Sequence, residues 1–166
     1  DGYDEIFINN IGQSNRLFKV KENGLLEKIV LKDAALSNGF GTGAAVADVD
    51  DDGILELLIS NGERLKQPLS LFKANINSKS SYLRVKPLTK YNAPARGATV
   101  TLISNLRTHA KTIDAGSGYL CQMEPVAHFG IRDNEKEFKI KIKWTDGTSY
   151  SFDTKKLNRE ITIKKK

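Results

Sequence analysis

Cysteine occurs once in the 166 residues, at Cys121, so no disulfide can close within the chain. No apolar run approaches the roughly 18 residues a membrane helix needs, which excludes a helical membrane span and membrane insertion by that route. Histidine is nearly absent: His109 and His128 are the two neutral-pH general bases available, and Cys121 is the one thiol nucleophile. Sustained 3.6-residue periodicity is missing as well, which argues against a helical architecture. No Asn-x-Ser/Thr sequon occurs, so N-glycosylation is not expected within these residues. Neither an initiator Met nor a signal-like apolar stretch precedes Asp1, and the chain reads as a piece of a longer protein.

Charge is plentiful but unevenly placed. The net charge of +6 combines −3 over residues 1–80 with +9 over residues 81–166. A polar stretch, Lys79-Ser80-Ser81, separates the two halves and sets the expected domain boundary.

The acidic half contains an internal repeat. DGYDEIFINN from Asp1 overlays DGILELLISN from Asp52, and Leu17-Phe18-Lys19 answers Leu71-Phe72-Lys73 after a loop that differs in length. A period near 50 residues lies in the range of β-propeller blades. Short apolar runs bounded by Asn, Gly and Asp, such as those holding Ile6 and Ile8 or Leu57 and Ile59, predict strands rather than helices.

Between AAVA and LLIS lies Asp48-Val49-Asp50-Asp51-Asp52-Gly53-Ile54-Leu55-Glu56, with carboxylates at positions one, three, five and nine. Convergent carboxylates repel one another unless a cation joins them. Hard oxygen donors at this density suit Ca2+, and no His or Cys lies nearby to favour zinc. The expected ligands are the side chains of Asp48, Asp50, Asp52 and Glu56 and the carbonyl of Ile54, with Gly53 permitting the sharp turn. An EF-hand would need Glu at position twelve, which is Ile59, and helices on both flanks. The loop is therefore expected inside a β-hairpin. At the amino terminus Asp1, Tyr3 (by its carbonyl) and Glu5 align with positions five, seven and nine, a partial second metal loop without its leading carboxylates. Gly39, Gly41 and Gly43 miss the dinucleotide-binding spacing and read as blade-turn glycines.

The segment GFGTGAAVADVDDDGILELLISNG resembles an FG-GAP repeat, the calcium-binding blade of integrin-α-type propellers. In the second half, SYLRV, APARGATVTL, IDAGSGYLCQMEPVAHFGI and IKWTDG resemble the ASPIC and UnbV domain. Together they resemble the cartilage acidic protein family, in which FG-GAP blades precede that domain. The family's motif usually ends HFGLG, whereas this chain reads His128-Phe129-Gly130-Ile131-Arg132. The resemblance implies a secreted, extracellular, non-enzymatic protein of matrix or cell-surface adhesion, and supplies no catalytic residue.

From the residues themselves, the basic half predicts an antiparallel β-domain. Phe138, Ile140, Ile142 and Trp144 alternate with Lys139, Lys141 and Lys143, and Asp146-Gly147 marks a hairpin turn. Further strands are expected at 82–85, 98–103, 109–113, 119–123 and 160–163. The fold class is all-β: partial FG-GAP-type propeller blades over residues 1–80, then a small antiparallel β-sandwich or barrel over 81–166. Lys139, Lys141, Lys143, Lys155, Lys156, Lys164, Lys165 and Lys166 form a candidate polyanion-binding set, with a sulfated glycosaminoglycan or an extracellular matrix or cell-surface protein as partner. Nucleic acid is not expected, because no recognition helix, zinc finger or aromatic RNA-binding strand is present. One alternative is a structural, matrix-organising protein that binds mineral or sulfated glycans. A more remote one is a hydrolase using Cys121 and His128, for which no orienting third group or oxyanion motif is found.

Overall fold

Apolar residues in runs too short for a helix, punctuated by turn formers, produce strands of four to eight residues. The computed structural model describes residues 2–21, 23–75, 81–116 and 118–166. Its strands are β1 (Glu5–Ile8), β2 (Arg16–Val20), β3 (Leu26–Ile29), β4 (Gly41–Ala47), β5 (Glu56–Asn61), β6 (Ser70–Lys73), β7 (Ser81–Leu88), β8 (Thr99–Ile103), β9 (Thr108–Thr112), β10 (Ala127–Ile131), β11 (Phe138–Lys143), β12 (Ser149–Thr154) and β13 (Arg159–Lys164). One 3-10 turn, Asp33–Ala35, is the sole helical element among the described residues. The all-β expectation holds.

The chain divides into two units, one of residues 3–75 and 116–123, the other of residues 1–2, 76–115 and 124–166. The expected boundary at Lys79 and Ser80 lies outside the described residues. In the first unit two three-stranded antiparallel sheets form, β1-β2-β3 and β4-β5-β6. Asn9 ties them together, its amide donating to the carbonyls of Gly43 at 3.0 Å and Ser60 at 3.1 Å.

Their registers repeat residue for residue. In the first sheet Glu5 faces Lys19, Ile6 faces Phe18 and Phe7 faces Leu17. In the second Glu56 faces Lys73, Leu57 faces Phe72 and Leu58 faces Leu71. The sequence repeat is thus a repeat of strand pairing. Gly41 and Gly43 lie inside β4, at a bulge, rather than in blade turns. A Cβ on Gly43 would sit 2.7 Å from the Tyr119 carbonyl oxygen, so this strand position is open only to glycine.

The second unit contains the sheets β10-β7-β13 and β12-β11-β8-β9. Alternate residues of both, among them Leu83, Val85, Val100, Leu102, Phe129, Ile140 and Ile142, meet in one buried cluster, which makes the unit sandwich-like. The indole N–H of Trp144 donates to the Leu88 carbonyl at 3.1 Å, satisfying the polar edge of a buried ring. Pairings are antiparallel except β7 with β13, which run parallel.

Two local expectations change. Residues 119–123 form no strand: Leu120 has φ 50°, a left-handed turn conformation incompatible with extended pairing, and an isolated bridge joins Gly118 to Cys121. Strand β3 was not foreseen, because its pattern is exposed and polar at an edge.

Candidate metal centre and basic face

The β4–β5 hairpin carries the acidic loop between two buried carboxylates. Asp48, just after β4, is 7% exposed, and Glu56, opening β5, is 4% exposed. Burying carboxylates costs free energy unless hydrogen bonds or a cation compensate. The loop backbone supplies part of this. The Gly53 amide donates to Asp48 Oδ2 at 3.0 Å, the Val49 amide to Glu56 Oε2 at 2.8 Å, and the Ile54 amide to Asp52 Oδ1 at 2.9 Å. Positive φ values at Asp51 (58°) and Gly53 (86°) curl the loop into the shape these bonds require.

Carboxylate oxygens of Asp48, Asp50 and Glu56 consequently lie within 4.8 Å of one another. Calcium–oxygen bonds of about 2.3–2.6 Å place opposite ligands roughly 4.6–5.2 Å apart, so one Ca2+ could touch all three without rebuilding the hairpin. Asp52 and the exposed Asp50 meet through a residue that the sequence did not single out. Lys73 Nζ lies 2.6 Å from Asp50 Oδ2, 2.6 Å from Asp52 Oδ2 and 3.1 Å from Glu56 Oε1. The hydrogen bond from Lys73, aided by the Ile54 amide, holds the Asp52 carboxyl below its usual range. Bonds to Asp50 and Asp52 push the Lys73 ammonium up. The available signal was the repeat itself, since Lys73 ends the Leu71-Phe72-Lys73 triplet and faces Glu56 in register.

In the first repeat Glu5 faces Lys19 in the corresponding place and is exposed. Asp1 lies outside the described residues. Among the described residues Asp48, Asp50 and Glu56 are the one group of three His, Cys, Asp or Glu side chains that gathers.

The candidate lysines do not share one element. Lys139, Lys141 and Lys143 stand on the exposed side of β11, Lys155 and Lys156 follow β12, and Lys164 ends β13 in the other sheet with Lys165 and Lys166 behind it. Lys165 is paired with Asp146. His128, on β10, stacks on Tyr82 with ring centroids 5.8 Å apart, and His109 meets Phe129 edge-on at 5.6 Å. Cys121 and His128 fall in different units. The buried Arg84 makes two hydrogen bonds to Glu124, at 3.0 and 2.8 Å, and a third to Glu160 at 3.2 Å. This closes a charge network with structural geometry.

Residues 88–166 match the ASPIC and UnbV family. The ASPIC and UnbV match runs from the end of β7 through β13 and so contains the Lys139 strand and the Asp146 hairpin. Over a longer span the chain is similar to cartilage acidic protein 1 of Homo sapiens, 46% identical over 156 residues, covering 89% of this chain and 23% of that protein. It is 43% identical over 170 residues to cartilage acidic protein 1 of Mus musculus, covering 96% and 26%. It is 44% identical over 156 residues to the Xenopus tropicalis protein of that name, covering 89% and 24%. The chain thus spans about a quarter of the length of these relatives.

Proposed function

We propose that this chain is part of a non-enzymatic, extracellular calcium-binding protein, in which Ca2+ fixes the Asp48–Glu56 hairpin of a propeller-type blade. One observation carries the reading: three carboxylates, two of them buried and each of those two anchored by a loop amide, place oxygens within 4.8 Å of one another. Asp52 and the Ile54 carbonyl would complete the coordination. Extracellular modules typically hold calcium at about 0.1–1 mM, an affinity suited to a structural ion in a calcium-rich compartment.

The blade reading rests on the duplicated register and on one contrast. Ile8 and Ile59 occupy the same repeat position, yet Ile59 is fully buried while Ile8 is 40% exposed. Blades bury their faces against neighbouring blades, so the β1 face is suited to another repeat of the same kind. The cartilage named in the relatives supports an extracellular matrix setting, with a matrix or cell-surface protein as partner.

Calcium titration by calorimetry tests the proposal, with thermal unfolding alongside. The intact chain is expected to show one saturable site and to gain about 1.4–2.7 kcal/mol at 10 mM calcium if its Kd lies in the stated range. An Asp50→Ala, Asp52→Ala double variant is expected to lose both effects. Absence of heat and of any melting shift for the intact chain would overturn it.

A further inference from the structure

The outer face of the sheet β9-β8-β11-β12 has a composition that neither the calcium loop nor the core explains. Strand pairing places Lys143 between Thr99 and Ser149, Lys141 between Thr101 and Ser151, and Lys139 between Ile103 and Asp153. Directly opposed residues project to the same side of a sheet. The result is a central row of three ammonium groups, about 14 Å long at 3.4 Å per residue, with hydroxyls on both sides of Lys141 and Lys143 and with Ile103 and Asp153 beside Lys139. None of the three lysines makes an ion pair among the described residues, although Lys165, Arg84 and Arg107 of the same unit all do.

We propose that this face binds a linear sulfated polysaccharide. The chemistry selects that ligand in three ways. The charges lie in a straight row on a sheet face rather than in a pocket, which suits an extended polyanion. All three cations are lysines, point charges that pair with separated monoanions, whereas arginine is the residue that grips carboxylate or phosphate with two parallel bonds. Thr and Ser supply the remaining donors for sulfate oxygens and ring hydroxyls. Aromatic platforms, on which single-stranded nucleic acids stack, are missing from these rows, and so are the bulky apolar side chains that insert into a bilayer, Ile103 being half-buried. The acidic half of the chain plays no part, so the proposal is independent of calcium binding.

Heparin-derived oligosaccharide binding to the full chain, followed by calorimetry across a salt series, tests it. The intact chain is expected to bind with an affinity that falls steeply with salt, whereas desulfated oligosaccharide binds at least tenfold more weakly. A Lys139→Gln, Lys141→Gln, Lys143→Gln variant should lose at least tenfold with its melting temperature unchanged. A control with the same charge change at exposed lysines outside the candidate set, Lys28→Gln, Lys32→Gln, Lys66→Gln, should stay within threefold of the intact chain. Equal losses in the two variants would overturn the proposal by reducing it to net charge. Tighter binding to anionic phospholipid vesicles or to single-stranded DNA than to the oligosaccharide would also overturn it, in favour of those ligands.

Discussion

Lys73 decides how the acidic loop behaves, because its ammonium contacts Asp50, Asp52 and Glu56, three of the carboxylates an ion would need. A calcium ion bound as proposed would have to displace it. Replacing Lys73 by Met removes the competitor while keeping the aliphatic stem, and is expected to tighten calcium binding by about fivefold, the scale of a few exposed ion pairs. The same variant should melt lower than the parent in chelator, where the carboxylates repel without compensation. Calorimetry in calcium and melting in chelator measure the two effects. Asp146 provides a pH test. The hydrogen bond from Lys165, with the Thr148 hydroxyl and amide, lowers its pKa to about 2 from an ordinary 3.8. A depressed carboxyl stabilises the fold above its unfolded pKa and loses that contribution as pH falls through its folded value. The melting difference between the parent and Asp146→Asn should therefore be full above about pH 4 and fade towards pH 2. At this scale the acidic loop was legible as a hairpin of gathered carboxylates, because those carboxylates follow one another in sequence. Lys73 was not, because it joins them through strand pairing.

Strand β11 shows how far a local pattern carries. Its alternation of Ile and Lys places Ile140 and Ile142 in the core and the lysines outside. Ile142→Ala should cost about 2–5 kcal/mol by leaving a cavity where packing cannot fully relax. Lys141→Gln should stay within about 0.5 kcal/mol. Urea unfolding of both variants checks the contrast. The adjoining turn was equally readable, since Asp146-Gly147 places Gly147 at φ 87° and closes the bond between the Trp144 amide and the Thr148 carbonyl. Residues 119–123 misled for a physical reason. Tyr119, Leu120 and Met123 look like a strand by composition, yet Leu120 turns left-handed and its side chain is exposed. The parallel pairing of β13 with β7 was also out of reach, because it joins Ile161 to Val85 across most of the unit, with no local pattern to announce it.

At the scale of the whole chain, burial is divided as unequally as charge. Every buried hydrophobic residue among those described lies between Leu83 and Trp144, in the sandwich-like unit, apart from Ile59. Free energy of local opening follows buried apolar contact, so the two units should differ widely in protection even within one molecule. Hydrogen exchange on the full chain is expected to show amides of β7, β8, β10 and β11 protected at least 100-fold more than those of β1–β3. Calcium should then act locally. The Val49 and Gly53 amides, bonded to Glu56 and Asp48, should slow by about tenfold or more in millimolar calcium, while β11 amides stay unchanged. Uniform slowing across both units would instead mean that the ion acts on global unfolding. In that case the acidic hairpin would be part of one cooperative fold rather than a locally stabilised blade.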